Sequence, residues 1–221
     1  AHDGNKNYTI FFSPSESNDE DYNEKQLTPI KVTNVDNDVA GLSVNLPEAF
    51  VLLEGQTMPL LVRLNTLPKK DVKITMNVDD KTEAEFEEAE VTLTPENWNT
   101  GIEIHLKGVA DSVIDGDQPV KVTFKVESED EDYNFDAIDF EGTVQDTDMA
   151  EVIYNMGDLP IVKEGDSSFV TMSVSLSSKP TKDVTVALSV TDDSELKLNK
   201  KTLTFKPNYW DIGQDVLVSR S

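Results

Sequence analysis

Carboxylates placed where stretches of alternating hydrophobicity stop are the residues best able to do chemistry in this chain. They are Glu54, the Asp79-Asp80 pair, the group Asp111, Asp115 and Asp117, and finally Asp146 and Asp148. Similar residues stand earlier as Asp3, Asp36 and Asp38, and later as Glu164, Asp192 and Asp193. Carboxylates gathered at one place repel: two unit charges about 4 Å apart cost roughly 4 kcal/mol at an effective dielectric of about 20. A cation is needed to offset that, and Lys and Arg are scarce in these segments. An oxygen-only donor set suits Ca²⁺, which accepts about six to eight oxygens in a tolerant geometry that loops supply. Taken singly, each Asp also fits a solvated turn, since Asp, Asn and Gly favour turns for backbone reasons. General acidity of a salt-adapted proteome is a further reading. The recurrence of the Asp pairs in register favours a shared site.

Composition removes several other functions. Over 221 residues, 43 acidic side chains face 19 basic ones, a formal net charge of −24 that repels nucleic-acid backbones and anionic membranes. There is no cysteine, so disulfides, Cys-bound zinc and thiol catalysis are excluded, while the redox compartment stays open. His2 and His105 are the only imidazoles, a poor provision for a catalytic triad or a His-rich zinc site. No phosphate-loop, dinucleotide, nucleophile-elbow or zinc-protease motif occurs, so the chain is not expected to be an enzyme. Carboxylate pairs are too common to single out a glycosidase pair. No apolar run approaches the ~18 residues that cross a bilayer, and residues 1 to 9 carry no secretory-signal pattern. That start fits a matured exported chain or a position inside a longer one.

The elements that must position these groups read as strands. Val72, Ile74, Met76 and Val78 alternate with polar neighbours, as do Val120, Val122, Phe124 and Val126. So do Val170, Met172, Val174 and Leu176, and Val184, Val186, Leu188 and Val190. A period of two marks half-buried strands, and nothing sustains a helical period. Shorter alternations at Leu60 to Leu64, Ile102 to Leu106 and Leu203 to Phe205 bring the set to about seven strands per unit, joined by Pro, Gly, Asn and Asp turns. Loops gather at the two ends of a sandwich, so several of the acidic groups are expected to converge at one end.

Internal repetition sets the unit. Asp3-Gly4-Asn5 through Tyr22-Asn23 to Asp36-Asn37-Asp38 recurs as Asp115-Gly116-Asp117 through Tyr133-Asn134 to Asp146-Thr147-Asp148. Glu54-Gly55 recurs as Glu164-Gly165, Lys70-Asp71-Val72 as Lys182-Asp183-Val184, and Trp98 after Pro95 as Trp210 after Pro207. The offset is about 110 residues throughout. If Asp-x-Asp closes each unit, residues 1–38 are the C-terminal part of a first repeat, 39–148 a complete repeat and 149–221 the N-terminal part of a third. Each partial unit then leaves an unpaired edge, prone to join another chain.

The Glu-Gly at the end of an early strand, the Thr-Pro-Glu-Asn-Trp segment, residues 108 to 117 and the terminal Asp-x-Asp together resemble Calx-beta repeats. The resemblance implies an all-β fold of tandem antiparallel immunoglobulin-like sandwiches, with calcium at one end. Carried over by position, the ligands are Glu54, Asp79 or Asp80, Asp111, Asp115, Asp117, Asp146 and Asp148. The first unit would keep Asp36 and Asp38, and the third Glu164 and Asp192. The family's terminal acidic triplet is broken here by Thr147 and by Asn37, which implies fewer or weaker ions.

The function expected is a calcium-stiffened structural or adhesive repeat segment of an extracellular, secreted or cell-surface protein. Its partners would be neighbouring repeats, covalent or head-to-tail by strand sharing into a filament, and a surface protein or glycan. The alternatives are a calcium-sensing regulatory domain like those of sodium/calcium exchangers and a glycan- or protein-binding adhesin module. Trp98 and Trp210 read as packing anchors, the acidic run 127–132 as a solvated hairpin loop, His105 as an exposed strand residue, and Asn7-Tyr8-Thr9 as a weak glycosylation match.

Overall fold

The computed structural model describes residues 2–157, 161–162 and 169–221. The chain is all-β. Strands β1 (Lys6–Ile10) and β2 (Ile30–Asn34) form a two-stranded antiparallel hairpin. Nine strands follow: β3 (Leu42–Val44), β4 (Ala49–Leu53), β5 (Thr57–Leu64), β6 (Val72–Val78), β7 (Ala84–Phe86), β8 (Glu90–Leu93), β9 (Ile102–Gly108), β10 (Gln118–Ser128) and β11 (Ile138–Gln145). They build two facing sheets, in the orders β4-β11-β10-β6-β8 and β3-β5-β9-β7.

Period-two sequences produce this sandwich because one face of each strand must leave water. In β6, Val72, Ile74, Met76 and Val78 are buried while their neighbours are not, and in β10 the same holds for Val120, Val122, Phe124 and Val126. These side chains meet Leu60, Val62, Leu64, Ile104 and Leu106 of the second sheet in one core. Phe124 sits between Phe86 and Phe140, edge-on to both at 5.7 and 5.8 Å. Trp98 packs against the rim of this core, as a packing anchor should.

The first strand is split rather than continuous. β3 pairs antiparallel with β5 in one sheet, and after Pro47 the chain crosses to pair as β4, in parallel, with β11 of the other. β4 ends where the sheets approach: Glu54 bridges to Gly108 at the end of β9. That split raises the strand number of residues 39–148 above the seven expected.

Among the described residues six more strands follow: β12 (Val152–Asn155), β13 (Phe169–Leu176), β14 (Val184–Ala187), β15 (Leu196–Leu198), β16 (Thr202–Phe205) and β17 (Gln214–Arg220). They pair as β12-β13-β17-β15 and as β14-β16. Among the described residues their core holds Val174, Leu203, Phe205 and Val216 buried.

Two local expectations need correction. The run 127–132 is not wholly solvated: Asp130 is buried, its Oδ2 accepts from the Lys69 N–H at 2.7 Å, and it caps a short 3-10 turn, Glu131–Tyr133. Tyr133 is buried too, its hydroxyl accepting from the Thr66 N–H at 3.1 Å and donating to the Thr66 carbonyl. His105 is half-buried, with Nδ1 3.2 Å from Glu88 and 3.7 Å from Glu87. Those carboxylates, Glu88 foremost, raise its pKa. Among the described residues no helix is long and apolar enough to cross a membrane.

Candidate metal centre

Glu54 is where the sandwich places a carboxylate it cannot easily solvate. The residue closes β4 and is held on both sides, its N–H donating to the Gln145 carbonyl at 3.2 Å while the next N–H, of Gly55, donates to Gly108 at 3.0 Å. Only 8 % of Glu54 is exposed. One side-chain oxygen accepts from the Thr147 N–H at 3.3 Å.

The chain after β11 folds over this group. Asp146 Oδ1 accepts from the Asp148 N–H at 2.7 Å and Oδ2 from the Gly116 N–H at 2.9 Å, joining the terminal turn to the loop before β10. Asp117 Oδ1 accepts from the Asp146 N–H at 3.3 Å. The result brings one oxygen each of Glu54, Asp146 and Asp148 within 4.8 Å of one another. Oxygens on one calcium ion, at about 2.3–2.6 Å from it, lie no further apart than about twice that distance. Asp148 Oδ2 is buried with no hydrogen-bond partner, which a polar oxygen avoids unless a cation or water serves it.

Electrostatics separate the three carboxylates. Burial pushes the Glu54 carboxyl above its usual range, and Asp111, Asp146 and Asp148 push it further. Asp148 is raised by burial and then by Asp146, Asp111 and Asp115. Asp146 is lowered, because the N–H groups of Asp148 and Gly116 stabilise its anion. Two of the three thus carry charge at a cost that a divalent ion would remove.

Asp111 and Asp115 lie near enough to repel the centre, while Asp111 Oδ1 also accepts from the Val113 N–H at 2.6 Å. Asp79 and Asp80 are engaged locally. Asp79 Oδ1 accepts from the Lys121 N–H at 2.8 Å, and Asp80 Oδ1 accepts from Thr82 N–H and hydroxyl at 2.9 and 2.6 Å, which lowers its pKa. Sequence reasoning passed over Glu83, whose pKa is raised by burial and then by Asp115, Asp80 and Asp111. Its signal was its position, three residues past the Asp80 turn.

The remaining candidates lie elsewhere. Asp36 accepts from the N–H groups of Asp3, Gly4 and Asp38 at 2.9, 2.6 and 3.0 Å, repeating at the β1–β2 hairpin the cap that Asp146 makes. Asp192 accepts from Ser194 N–H at 2.9 Å, and Asp193 pairs with Lys201 at 3.0 Å. Glu164 lies outside the described residues. A second cluster, Glu87, Glu88 and His105, stands on the β7–β9 side.

No protein-family model and no curated protein sequence matches the chain. Solved structures similar in part include the following. The E. coli chaperone DraB has a TM-score of 0.37 at 9 % identity, over 80 % of this chain and 86 % of its own. CBD12 from CALX1.2 has a TM-score of 0.35 at 12 % identity, over 80 % of this chain and 74 % of its own. Elastase-activated E. coli alpha-2-macroglobulin has a TM-score of 0.34 at 12 % identity, over 97 % of this chain and 25 % of its own. Likenesses this distant assign the chain to no family.

Proposed function

We propose that Glu54, Asp146 and Asp148, with Asp111 and Asp115 beside them, bind Ca²⁺, and that the chain is a calcium-stiffened segment of a surface or secreted repeat protein. The observation that carries this reading is the buried, unpartnered Asp148 Oδ2 inside a triad of converging carboxylates. The ion would offset two of the triad's three negative charges and lock the terminal turn, which leads into β12, to the loop before β10, whose Ser112 carbonyl accepts from the Lys179 N–H at 2.7 Å. Binding to the folded form alone adds about 2.7 kcal/mol at free calcium a hundred times Kd. Millimolar extracellular calcium supplies that ratio for a site of modest affinity. The role proposed is mechanical rather than catalytic, with neighbouring repeats as first partners and a surface protein or glycan as a further one.

Calorimetric titration of the 221-residue chain with CaCl₂ tests the reading. Uptake is expected in the wild type and its loss in Glu54→Gln and in Asp148→Asn. A wild type that takes up no calcium overturns it. Submicromolar affinity would favour the regulatory-sensor alternative over the structural one.

A further inference from the structure

Two surfaces of this chain complement one another. The first is the apolar face of the β1–β2 hairpin, where Tyr8 stands opposite Val32 and Ile10 opposite Ile30, all four at least 43 % exposed. The second is the edge of β14 that has no partner strand among the described residues. This strand pairs with β16 on one side, the Leu188 N–H just beyond it donating to the Lys201 carbonyl at 2.9 Å. Alternation along a strand therefore turns the backbone of Thr185 to the unpaired side. Val184 and Val186 are only half-buried, whereas Val72 and Ile74, the matching residues of β6, are fully buried.

The same molecule holds an instance of what covers such an edge. β14 and β16 pair Val184 with Phe205, and β6 and β8 pair Val72 with Leu93, each residue of one pair lying 112 positions from its match. The edge of β6 is covered by the β10–β11 hairpin, with Phe124 opposite Met76 and Val126 opposite Ile74. The β1–β2 hairpin matches that hairpin in its capping bonds: Asp36 serves Gly4 and Asp38 as Asp146 serves Gly116 and Asp148. Asp19 accepts from the Asp21 N–H as Asp130 accepts from that of Asp132. Ile10 thereby takes the place of Val122, Phe12 that of Phe124, and Tyr22 that of Tyr133. Pro14 falls on Val126, whose backbone faces away from β6, since the β6-facing carbonyl is that of Lys121, which accepts from Asp79 at 3.1 Å. Its missing N–H costs the new ladder nothing.

A seat for the tyrosine exists as well. Tyr133 is anchored on Thr66, and the corresponding Ser178 borders a cavity of about 450 Å³ between Ile114, Leu176, Thr181 and Val184. Lys179 and Lys182 line it together with Glu151 and Asp183, so its charges balance and the fit for a tyrosine rests on its apolar walls.

We propose that the β1–β2 hairpin of one copy docks as added strands along β14 of a second copy, with Tyr22 entering the cavity beside Ser178. The two surfaces differ, so each copy keeps one of each after docking and association continues head to tail. This contact is separate from the calcium reading, and it is measured in chelator as well as in calcium.

Sedimentation of the 221-residue chain tests it with two variants. Ile10→Asp puts a charge on the exposed hairpin face, and Thr185→Pro removes the donor on the open edge. The wild type should gain mass with concentration, and each variant alone should stay monomeric. An equimolar mixture should form a particle of twofold mass and nothing larger, because one variant offers an intact edge and the other an intact hairpin. That recovery also shows that both variants fold. A wild type that stays monomeric to about 100 µM, including by closing its own hairpin onto β14, overturns the proposal. So does association that survives either variant, or a mixture that does not associate.

Discussion

At the scale of single residues, the raised carboxyls of Glu54 and Asp148 make stability depend on pH in a defined direction. A carboxyl whose pKa is higher in the folded state holds a proton that the unfolded chain releases. Without calcium, stability therefore falls as pH rises from the ordinary values of 4.5 for Glu and 3.8 for Asp through the raised ones. Asp36 and Asp146, lowered in the fold, act in the opposite sense: their contribution is present above 3.8 and is lost as pH falls through their folded values. Urea unfolding of the metal-free protein should thus show greater stability at mildly acidic than at neutral pH, and saturating calcium should remove the part of that rise due to Glu54 and Asp148, leaving the part due to the raised Glu83 and His105. Glu54→Gln carries the proton's equivalent permanently. Metal-free and at neutral pH it should unfold at no lower urea than the wild type, while losing the calcium-dependent gain of about 2.7 kcal/mol at a hundred times Kd. The carboxylates themselves were legible because Asp-x-Asp recurs in register. Which of them meet was not, since that depends on Glu54 being drawn to the seam between the sheets by its bonds to Gln145 and Gly108.

At the scale of the elements, the corner formed by Tyr133 ties the turn after β10 to the one after β5. Tyr133→Phe leaves the buried Thr66 N–H without its partner and should cost about 1–3 kcal/mol in urea unfolding, with calcium binding retained. Gly142 on β11 lies under the Phe50 ring, so that a Cβ there would collide with it. Gly142→Ala should destabilise by about 1–3 kcal/mol through overpacking. The strongest alternations, in β6 and β10, became strands as their spacing requires. Val190, which continues the alternation of β14, lies beyond the end of that strand at Ala187, where the ladder with β16 stops at the pair Ala187–Thr202. The split between β3 and β4 was not legible, because Ala49–Leu53 reads as a continuous apolar run whose change of sheet is decided by its parallel partner β11. The tyrosine corner escaped for a similar reason: its acidic neighbours looked solvated, and only the contact with Thr66 buries Tyr133.

At the scale of the whole molecule, a net charge of −24 makes the fold repel itself. In chelator, the thermal midpoint should rise as NaCl shortens the Debye length toward about 8 Å at physiological ionic strength. Calcium at constant ionic strength should raise it further, by about 2–4 °C for each kcal/mol of binding linkage in a chain of this size. If NaCl alone reproduced the full calcium effect, general screening rather than a specific site would account for it. A different property follows from β4 and β11 lying side by side and parallel, in register from Ala49 with Glu141 to Leu53 with Gln145. Tension applied at the two ends of residues 39–148 slides these strands lengthwise past each other, loading their hydrogen bonds together in shear instead of peeling them one at a time.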